Sequence, residues 1–509
     1  MIINANIMQS NKVSLPGSIL LSIAFALIAN CLKAQPAELS LQIDETKTFQ
    51  TMDGFGVNIN PAWWYNGRYE DSKVVQPAID LLVDSLGANI FRVVIEEIDW
   101  EAVNDDDNPD HFNWDYYNKV FSGARFQGVW NTLRYLNQKG ISNHLVISLM
   151  GAPPASTPMA APDPLKSWMG GTDNTIAANM EDEMAESIAA LLYYMRNTAK
   201  IQFSLVSPMN ETDIQSGTKN ADHPDGIVEG PNIPDAVQYV RIVRTLAEKL
   251  DAIGMGDIRF VAPDAAGDKL FGECLGEIVR DPYLLKKMAH WGIHNYGNDS
   301  GQFRKLINRQ DNPISSYWVT ETAGISNLLG QLDDDARAFI FWDGYDCVYQ
   351  HGRRNGYGSI PPNDWVFWED EEGKPLIEFN AASKTWTPRK QFYEHAHIMR
   401  FVKPGAVRTD ISGQDSSLSV YAYRNPDGNM VILGRNNLKQ TITFNAGFSR
   451  LQELKDLKLY YTDSTNNFSK GNKIITSGKS FKALIPAESV FTITGMDIVP
   501  SSSYKRVKR

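Results

Sequence analysis

The sequence has few cysteines and none of the common short catalytic motifs. Its three cysteines, Cys31, Cys274 and Cys347, form no Cys-x-x-Cys pair, which argues against a zinc ribbon or a redox site. Cys274 and Cys347 could pair in an exported protein, but two isolated buried thiols explain them at least as well. His-Glu-x-x-His, Gly-x-Ser-x-Gly and P-loop patterns are also missing from the sequence, so the commonest metalloprotease, serine hydrolase and nucleotide-binding signatures are excluded.

The chain also lacks an excess of positive charge. Its 49 Lys and Arg residues against 60 Asp and Glu residues give a formal net charge of −11, which argues against nucleic acid as a partner and suits a neutral substrate. With 43% hydrophobic and 21% charged residues, the 509-residue chain has the composition of a globular protein. Aromatic residues make up 11%, and those beside turns could stack on sugar rings, although most are expected in the core.

No apolar run is long enough to span a bilayer comfortably. The longest, residues 19–29, is followed by a sequence resembling a signal-peptidase site just before Gln35. We therefore expect residues 1–34 to be a signal peptide and the mature protein to be secreted or periplasmic, without a membrane span. Lipid anchoring at Cys31 is the less favoured alternative, because Asn30 stands where lipoprotein signals usually carry a small residue.

Between residues 51 and 403, strand-like and helix-like runs alternate. The run from His144 to Met150 is a typical buried strand, and the segment from Glu181 to Asn197 has apolar residues at helical spacing. Repeated βα units predict parallel strands, in a closed barrel or an open doubly wound sheet. No Gly-x-Gly-x-x-Gly follows the first strand and polar residues recur at strand ends, which favours a (β/α)8 TIM barrel.

Beyond residue 403 the helical pattern disappears. Short alternating strands follow, and the turn Asn425-Pro-Asp-Gly428 between two of them is a strong hairpin signal. Residues 404–498 are therefore predicted to form an all-β sandwich. Residues 499–509 are polar and basic, and we expect this tail to be disordered.

Two glutamates follow strand-like runs at positions suited to catalysis. Asn210-Glu211 comes soon after the run ending at Ser207, and Glu321 closes the run that begins at Tyr317. Strand ends of a parallel barrel meet at one mouth, so these carboxylates can face each other. Such a pair can cleave a glycosidic bond. One carboxylic acid protonates the leaving oxygen, while the other carboxylate attacks the anomeric carbon or activates water. A distance of about 5 Å between the two carboxyl groups means that the anomeric configuration is retained. Taken singly, each glutamate could simply be an acid at the start of a helix.

Further polar residues are predicted at the same mouth. Asn210 could bind a substrate hydroxyl beside the reacting carbon, and Arg92 could hold a neighbouring carboxylate in its charged form. His294 and Tyr296 end the strand before that of Glu321, so the tyrosine could donate to that glutamate. A rim salt bridge for the arginine, a core histidine and a packing tyrosine are the competing interpretations.

Three tryptophans are candidate sugar-binding residues. Trp63 and Trp64 lie in a turn-rich loop and could form a platform, while Trp342 could form the floor of the pocket or belong to the core. His395 and His397 lie two residues apart in a helix-like run and point to different faces, so they make a weak metal pair. We expect no metal and no cofactor.

Several motifs together resemble glycoside hydrolase family 30, in clan A of the glycoside hydrolases. They span most of residues 50–495. They are Asp53-Gly-Phe-Gly, Ser148-Leu-Met-Gly-Ala-Pro-Pro-Ala, Asn210-Glu211, Trp318-Val-Thr-Glu321, the segment from Phe392 to Arg408, Tyr421-Ala-Tyr-Arg-Asn-Pro-Asp-Gly and Ile485-Pro-Ala-Glu-Ser-Val. The chain departs from the family pattern at Thr212, where proline is common, at residues 155–157, where a tryptophan is usual, and in its first loop.

The resemblance implies a retaining glycosidase with Glu211 as acid/base and Glu321 as nucleophile. It also implies that residues 35–50 supply the first strand of the β-sandwich. The substrate would be a polysaccharide or oligosaccharide, with β-galactan, β-glucan and xylan all open, and the enzyme is expected to be a monomer. The alternatives are a carbohydrate-binding barrel protein without turnover, and a distant clan relative acting as an exo-β-glycosidase.

Overall fold

A computed structural model describes the greater part of the chain. The residues described are 37–61, 72–96, 100–101, 104–150, 166–172, 175–214, 230–296, 302–345, 375–380, 383–414, 416–450, 454, 456–496 and 505–506. The expected signal peptide, Trp63, Trp64, Cys31 and Cys347 lie outside them. Cys274 is a buried free cysteine.

Eight parallel strands close into a barrel in the order in which they occur along the chain. An N-terminal strand, β1 (Ala37–Thr51), precedes them and belongs to a second sheet. The barrel strands are β2 (Gly54–Ile59), β3 (Ile90–Glu96), β4 (Leu145–Met150), β5 (Leu205–Ser207), β6 (Arg259–Ala265), β7 (Met288–His294), β8 (Tyr317–Thr322) and β9 (Ala338–Tyr345). The prediction of a (β/α)8 barrel with a second, all-β unit is confirmed.

Helices follow most of the barrel strands. They are α1 (Ser72–Asp80), which continues as a π-helical turn over Leu81–Leu86, α2 (Trp114–Phe121), α3 (Ala124–Gln138), α4 (Glu181–Asn197), α5 (Ala236–Ala252), α6 (Asp268–Arg280), α7 (Pro282–Lys287), α8 (Gln302–Ile307), α9 (Ile325–Asp333) and α10 (Lys390–Met399). Two short hairpins pair Lys166–Ser167 with Gly171–Thr172 and Ile377–Asn380 with Thr385–Pro388. Of the helices in the described ranges, none is both long and apolar enough for a membrane crossing.

Layers of side chains fill the barrel, following the two-residue repeat of its strands. The lower layer is apolar and comprises Ile90, Val146, Leu205, Val261, Trp318, Ala338 and Ile340. Two residues further along, the same strands carry the buried polar side chains Arg92, Ser148, Ser207 and Thr320. Alternate residues of a strand share one face, so a polar layer lies above the apolar one, toward the C-terminal ends of the strands.

Asp53 forms two hydrogen bonds at the N-terminal end of the barrel strands, called here the closed end. Its Oδ2 accepts hydrogen bonds from Trp318 Nε1 at 2.9 Å and from Ser316 Oγ at 3.2 Å. A Cβ on Gly56 would lie 2.0 Å from the carbonyl oxygen of Ile90, so only glycine permits β2 and β3 to approach this closely. The Asp53-Gly-Phe-Gly motif therefore stabilises the barrel at the N-terminal ends of its strands, opposite to the end at which active sites of such barrels lie.

The second sheet contains β1 and most of the residues after 403. Its further strands are β10 (Val407–Ser412), β11 (Leu418–Arg424), β12 (Met430–Asn436), β13 (Ile442–Phe448), β14 (Lys458–Thr462), β15 (Ser469–Lys470), β16 (Ile475–Ser477), β17 (Ser480–Ile485) and β18 (Val490–Met496). They run in the order β15-β14-β18-β12-β11-β10-β1-β13-β17-β16.

This sheet folds over into two layers. Phe444 on β13 and Phe491 on β18 are separated by four strands, yet their ring centroids are 5.9 Å apart. In a flat sheet the same strands would lie about 24 Å apart, so the two ends must pack face to face as in a sandwich. The pair Arg424 and Met430 closes the hairpin around the predicted Asn425–Gly428 turn.

The N-terminal strand lies in the middle of this sheet. β1 pairs antiparallel with β10 and parallel with β13. Contacts with the barrel include the hydroxyl of Tyr421, which donates to the carbonyl oxygen of Leu329 at 2.6 Å. In the basic tail, Lys505 and Arg506 pair with β1 at Lys47 and Thr48.

Candidate active site

Glu211 and Glu321 meet at the C-terminal mouth of the barrel. Glu211 follows β5, Glu321 lies on β8, and both side chains are buried. One carboxylate oxygen of each lies within 4.8 Å of the other and of a ring nitrogen of His294. The predicted convergence of the two carboxyl groups is therefore present, at the spacing found where one carboxylate attacks and the other transfers a proton.

Arg92 from β3 is the buried cation of the site. Its Nη1 donates to Glu321 Oε1 at 2.6 Å and to Asn58 Oδ1 at 2.8 Å, and its Nη2 donates to Asn210 Oδ1 at 2.5 Å. Arg92 is completely buried, so the interpretation as a rim salt bridge is wrong. The guanidinium therefore bonds to side chains from three segments of the barrel, and it forms an ion pair with the Glu321 carboxylate.

Asp264 is a buried carboxylate that sequence reasoning did not find. Its Oδ2 accepts hydrogen bonds from Arg92 Nε at 3.2 Å and from the hydroxyl of Ser207. Its Oδ1 accepts a hydrogen bond from the hydroxyl of Thr320. Its backbone φ is +54°, and the carbonyl oxygen accepts the backbone N–H of Glu211 at 3.0 Å. Asp264 therefore supports both Arg92 and the Glu211 backbone from beneath the site.

His294, at the end of β7, contacts the other glutamate. Its Nδ1 lies 2.6 Å from Glu211 Oε1 and 3.4 Å from Glu321 Oε2. Its Nε2 is buried without a hydrogen-bond partner among the described residues, 3.9 Å from Asp264 Oδ1. Burial lowers the pKa of His294, partly offset by the nearby Glu321 and Asp264 carboxylates, so the ring is held neutral.

The two glutamates have different electrostatic surroundings. Burial raises the pKa of Glu321, while His294, Arg92 and the Tyr296 hydroxyl oppose that rise by favouring the carboxylate. For Arg92, burial alone would lower the pKa, but Asp264 and Glu321 outweigh it and raise the pKa, so the guanidinium stays charged. Glu321 thus faces a permanent cation, whereas Glu211 faces a neutral imidazole.

The predicted aromatic residues differ in where they lie. Tyr296 OH donates to Glu321 Oε2 at 2.8 Å, and 43% of this side chain is exposed, so it borders the opening of the site. Trp342 on β9 is half-buried and packs against Val94 and Met150, above the polar layer.

A metal ion fits this cluster poorly. Glu211, His294 and Glu321 each offer one ligand atom, but ligands at the usual zinc distance are separated by about 3.4 Å in a tetrahedron. The 2.6 Å contact between His294 and Glu211 is a hydrogen-bond distance, and the Arg92 cation lies against Glu321. His397 is buried elsewhere, with both ring nitrogens 3.0 Å from threonine hydroxyls.

Comparisons with known proteins point to one group of enzymes. No protein-family model matches the chain. The glucuronoxylanase XynC of Bacillus subtilis (strain 168) is 25% identical over 252 residues, which cover 49% of this chain and 55% of that protein. The chain therefore matches only about half the length of this curated relative.

Solved structures match over nearly the whole chain. A GH30 endoxylanase from Clostridium papyrosolvens C71 gives a TM-score of 0.61 at 20% identity, covering 90% of this chain and all of that one. The catalytic domain of the GH30 xylanase C from Talaromyces cellulolyticus gives 0.63 at 16% identity, covering 91% and 100%. The chain is thus similar in fold to two glycoside hydrolase family 30 xylanases. At such identities the structural matches establish the fold.

Only part of the family 30 resemblance is covered by described residues. Asn210, Glu211 and Glu321 are brought together at one site, and Asp53 lies at the closed end of the barrel. The Ser148 motif can be followed only to Met150, so the departure from the family pattern at residues 155–157 lies outside the described residues, as do Trp63 and Trp64. A signal for Asp264 was available, because it is a polar residue at the end of the buried run beginning at Arg259.

Proposed function

We propose that this protein is a retaining glycoside hydrolase that cleaves β-glycosidic bonds of a polysaccharide by a two-glutamate double displacement. The single observation that supports this most strongly is the approach of the Glu211 and Glu321 carboxylates to within 4.8 Å at the barrel mouth. Inverting enzymes keep their carboxyl groups about 6.5–9.5 Å apart to admit a water molecule, so the short separation favours retention.

The surroundings of each glutamate support a division of roles. Arg92 and Tyr296 donate to Glu321 at 2.6 and 2.8 Å, which favours the ionised carboxylate that a nucleophile requires. Glu211 instead contacts the neutral ring of His294, with which it can share a proton. We therefore assign Glu321 as nucleophile and Glu211 as acid/base.

The reaction would proceed in two steps. Glu211 donates its proton to the glycosidic oxygen while Glu321 attacks the anomeric carbon, so the leaving group departs as an alcohol and a glycosyl ester forms on Glu321. Glu211, now ionised, takes a proton from water, and the resulting hydroxide attacks the same carbon and restores the Glu321 carboxylate. Since Asn210 Oδ1 accepts from Arg92, its amide N–H groups would be the ones that meet a sugar hydroxyl.

Xylan is the substrate to examine first, with β-glucan and β-galactan as the other candidates. The similarity to a glucuronoxylanase and to two family 30 xylanases supports this order. Tyr296 at the opening and Trp342 above the polar layer offer aromatic surface to a sugar ring. We further propose that the enzyme needs no metal ion, so activity should survive dialysis against EDTA.

The test is a panel of β-glycans assayed for new reducing ends, with wild type, Glu211→Gln, Glu321→Gln and the exposed-site control Glu248→Gln. Both active-site variants should lose turnover while keeping the wild-type melting temperature, and the control should keep full activity. NMR of the first product formed should show the β anomer. An α product, or full activity in either active-site variant, would contradict the mechanism. Saccharide binding without new reducing ends would favour a binding protein instead.

We also propose that the chain is exported after removal of residues 1–34. The apolar run at residues 19–29 and the cleavage-like sequence before Gln35 support this. Mass spectrometry of the mature N-terminus should find Gln35. A lipid-modified cysteine at position 31 would identify the alternative.

A further inference from the structure

The loop that carries Glu211 is fixed by backbone hydrogen bonds to three other parts of the chain. The N–H of Asn210 donates to the carbonyl oxygen of Leu149 at 2.9 Å, and the N–H of Glu211 donates to that of Asp264 at 3.0 Å. The N–H of Ile233 donates to the carbonyl oxygen of Thr212 at 3.0 Å. Three successive residues are therefore held by β4, by β6 and by the segment before α5.

Glu211 has a backbone conformation that it would not adopt unaided. Its φ is +37°, in the left-handed region that is unfavourable for a residue with a Cβ. Such a conformation persists only where the surrounding structure enforces it. The direction of the Glu211 carboxyl therefore depends on the contacts of its loop.

Gly230 packs directly against this loop. A Cβ at position 230 would lie 1.5 Å from the carbonyl oxygen of Asn210 and 2.7 Å from its carbonyl carbon. Both atoms are backbone, so no side-chain rotation relieves the overlap. Only glycine allows the segment that includes Ile233 to reach the peptide that joins Asn210 to Glu211.

Asp213 holds the loop from the other side. Its Oδ1 accepts the backbone N–H of Ala266 at 3.0 Å, and its Oδ2 accepts that of Gly267 at 2.7 Å. Gly267 is the N-cap residue of α6, so the carboxylate binds backbone donors at the start of a helix. Asp213 follows Glu211 by two residues and joins its loop to the chain that follows β6.

We propose that Gly230 and Asp213 are positioning residues that hold Glu211 in its left-handed conformation and so set the direction of its carboxyl relative to Glu321. Neither residue need transfer a proton or touch the sugar. The inference rests on the proposed function, because it supplies the geometry that an acid/base at Glu211 requires. It predicts that a change in either residue weakens proton transfer more than substrate binding.

The test compares Gly230→Ala with two glycine controls. In Gly434→Ala the new Cβ would lie 2.3 Å from the carbonyl oxygen of Ser419, also an overlap with backbone, though a smaller one, and in the second sheet. In Gly330→Ala the new Cβ meets nothing within 4 Å. Each variant is assayed on aryl β-glycosides of an accepted sugar, with leaving groups from dinitrophenol to unactivated phenol.

Gly230→Ala should lower kcat/KM on the phenyl glycoside by about tenfold or more, since general-acid assistance is large for poor leaving groups. Its kcat/KM on the dinitrophenyl glycoside, which reports only the first step and needs little protonation, should change by less than about threefold. Gly434→Ala should lower the melting temperature without altering the ratio of the two rates. A folded Gly230→Ala enzyme with the wild-type ratio and pH profile would overturn the proposal.

Asp213→Asn keeps the test decisive if Gly230→Ala does not fold. The Asn amide can accept only one of the two backbone N–H groups, so the same shift in leaving-group dependence is expected. Asp281→Asn is its control, because Asp281 also accepts two backbone N–H groups at the start of a helix, those of Tyr283 and Leu284 at α7, although both bond to its Oδ1. Equal rate ratios in the two variants would overturn the role of Asp213.

Crystal structures of wild type and of these variants separate this inference from the proposed function. If the wild type cleaves no glycoside, the proposed function fails, but the position of Glu211 in the variants is still decisive. Movement of its carboxyl by about 1 Å or more supports the positioning role. An unmoved carboxyl in folded Gly230→Ala and Asp213→Asn refutes it.

Discussion

Nδ1 of His294 lies 2.6 Å from Oε1 of Glu211, and burial lowers the pKa of this histidine. A neutral imidazole can donate its Nδ1 proton to the Glu211 carboxylate or accept one from the carboxylic acid. Glu211 and His294 can therefore share one proton between Oε1 and Nδ1.

Replacing His294 should change how activity depends on alkaline pH. In His294→Phe the ionised form of Glu211 loses a hydrogen-bond donor, so the acid form persists to higher pH. The alkaline limb of kcat/KM should therefore move upward in pH, and kcat should fall by about tenfold or more. His294→Asn, whose amide can replace Nδ1 as a donor, is the control and should lie closer to wild type. An unmoved alkaline limb in the phenylalanine variant would count against the shared proton.

Removing the Tyr296 hydroxyl should act on the opposite limb. This hydroxyl lowers the pKa of Glu321, against the effect of burial, so Tyr296→Phe should raise that pKa and move the acidic limb of kcat/KM to higher pH. A loss of about tenfold in kcat is expected with little change in melting temperature, because the side chain is 43% exposed. A shift of the alkaline limb instead would mean that the roles of the two glutamates are reversed.

Asp264→Asn should reduce stability as well as activity. Asp264 balances the completely buried charge of Arg92, and removing one partner of a buried ion pair destabilises a protein by about 3 kcal/mol. Ser207→Ala, which removes one neutral donor to the same carboxylate, is the control and should cost about 1 kcal/mol. Chemical denaturation of both variants measures the difference. Equal stability losses would show that the Arg92 charge is balanced by Glu321 alone.

A buried acid outside the site predicts a loss of stability at alkaline pH. Burial raises the pKa of Glu186 to about 9, although Tyr117 donates to its Oε2 at 2.7 Å. An acid whose pKa is raised on folding binds more protons in the folded state, so stability falls as the pH rises from about 4.5 toward about 9. Glu186→Gln should flatten this dependence. The melting temperature of the variant, relative to that of wild type, should be higher at pH 8.5 than at pH 5.

The measurement is the melting temperature of wild type and of Glu186→Gln across this pH range. Glu248→Gln is the matched control, because its side chain is exposed on α5, where it forms an ion pair with Arg244. Parallel pH profiles for wild type and Glu186→Gln would refute the prediction.

Much of the fold could be predicted because the barrel strands are short, largely buried runs, and several have a polar residue at or beside their C-terminal end. The Glu181–Asn197 helix has the bounds that the sequence pattern predicts, and the strand at Leu145–Met150 differs by one residue. The positions of Glu211 and Glu321 followed from barrel geometry alone, since strand ends of a parallel barrel converge.

Other parts depended on contacts that the sequence does not encode locally. A proline is the usual limit of a regular strand, so the sequence from Arg259 indicates a strand that ends at Pro263 and gives no reason to single out Asp264. Its importance arises from Arg92, far away in the chain. Gly230 was likewise invisible, because the close approach of its Cα to Asn210 is a property of the folded loops.

The central place of β1 in the second sheet has a consequence for how the molecule can be divided. β1 precedes the barrel, but its hydrogen-bonding neighbours β10 and β13 both follow it. No single cut therefore yields an intact barrel and an intact sandwich. A truncation after residue 403 would leave β1 without its partners on both edges. A circular permutant that begins at residue 52 and links the end of the C-terminal strands to residue 37 would keep every ladder.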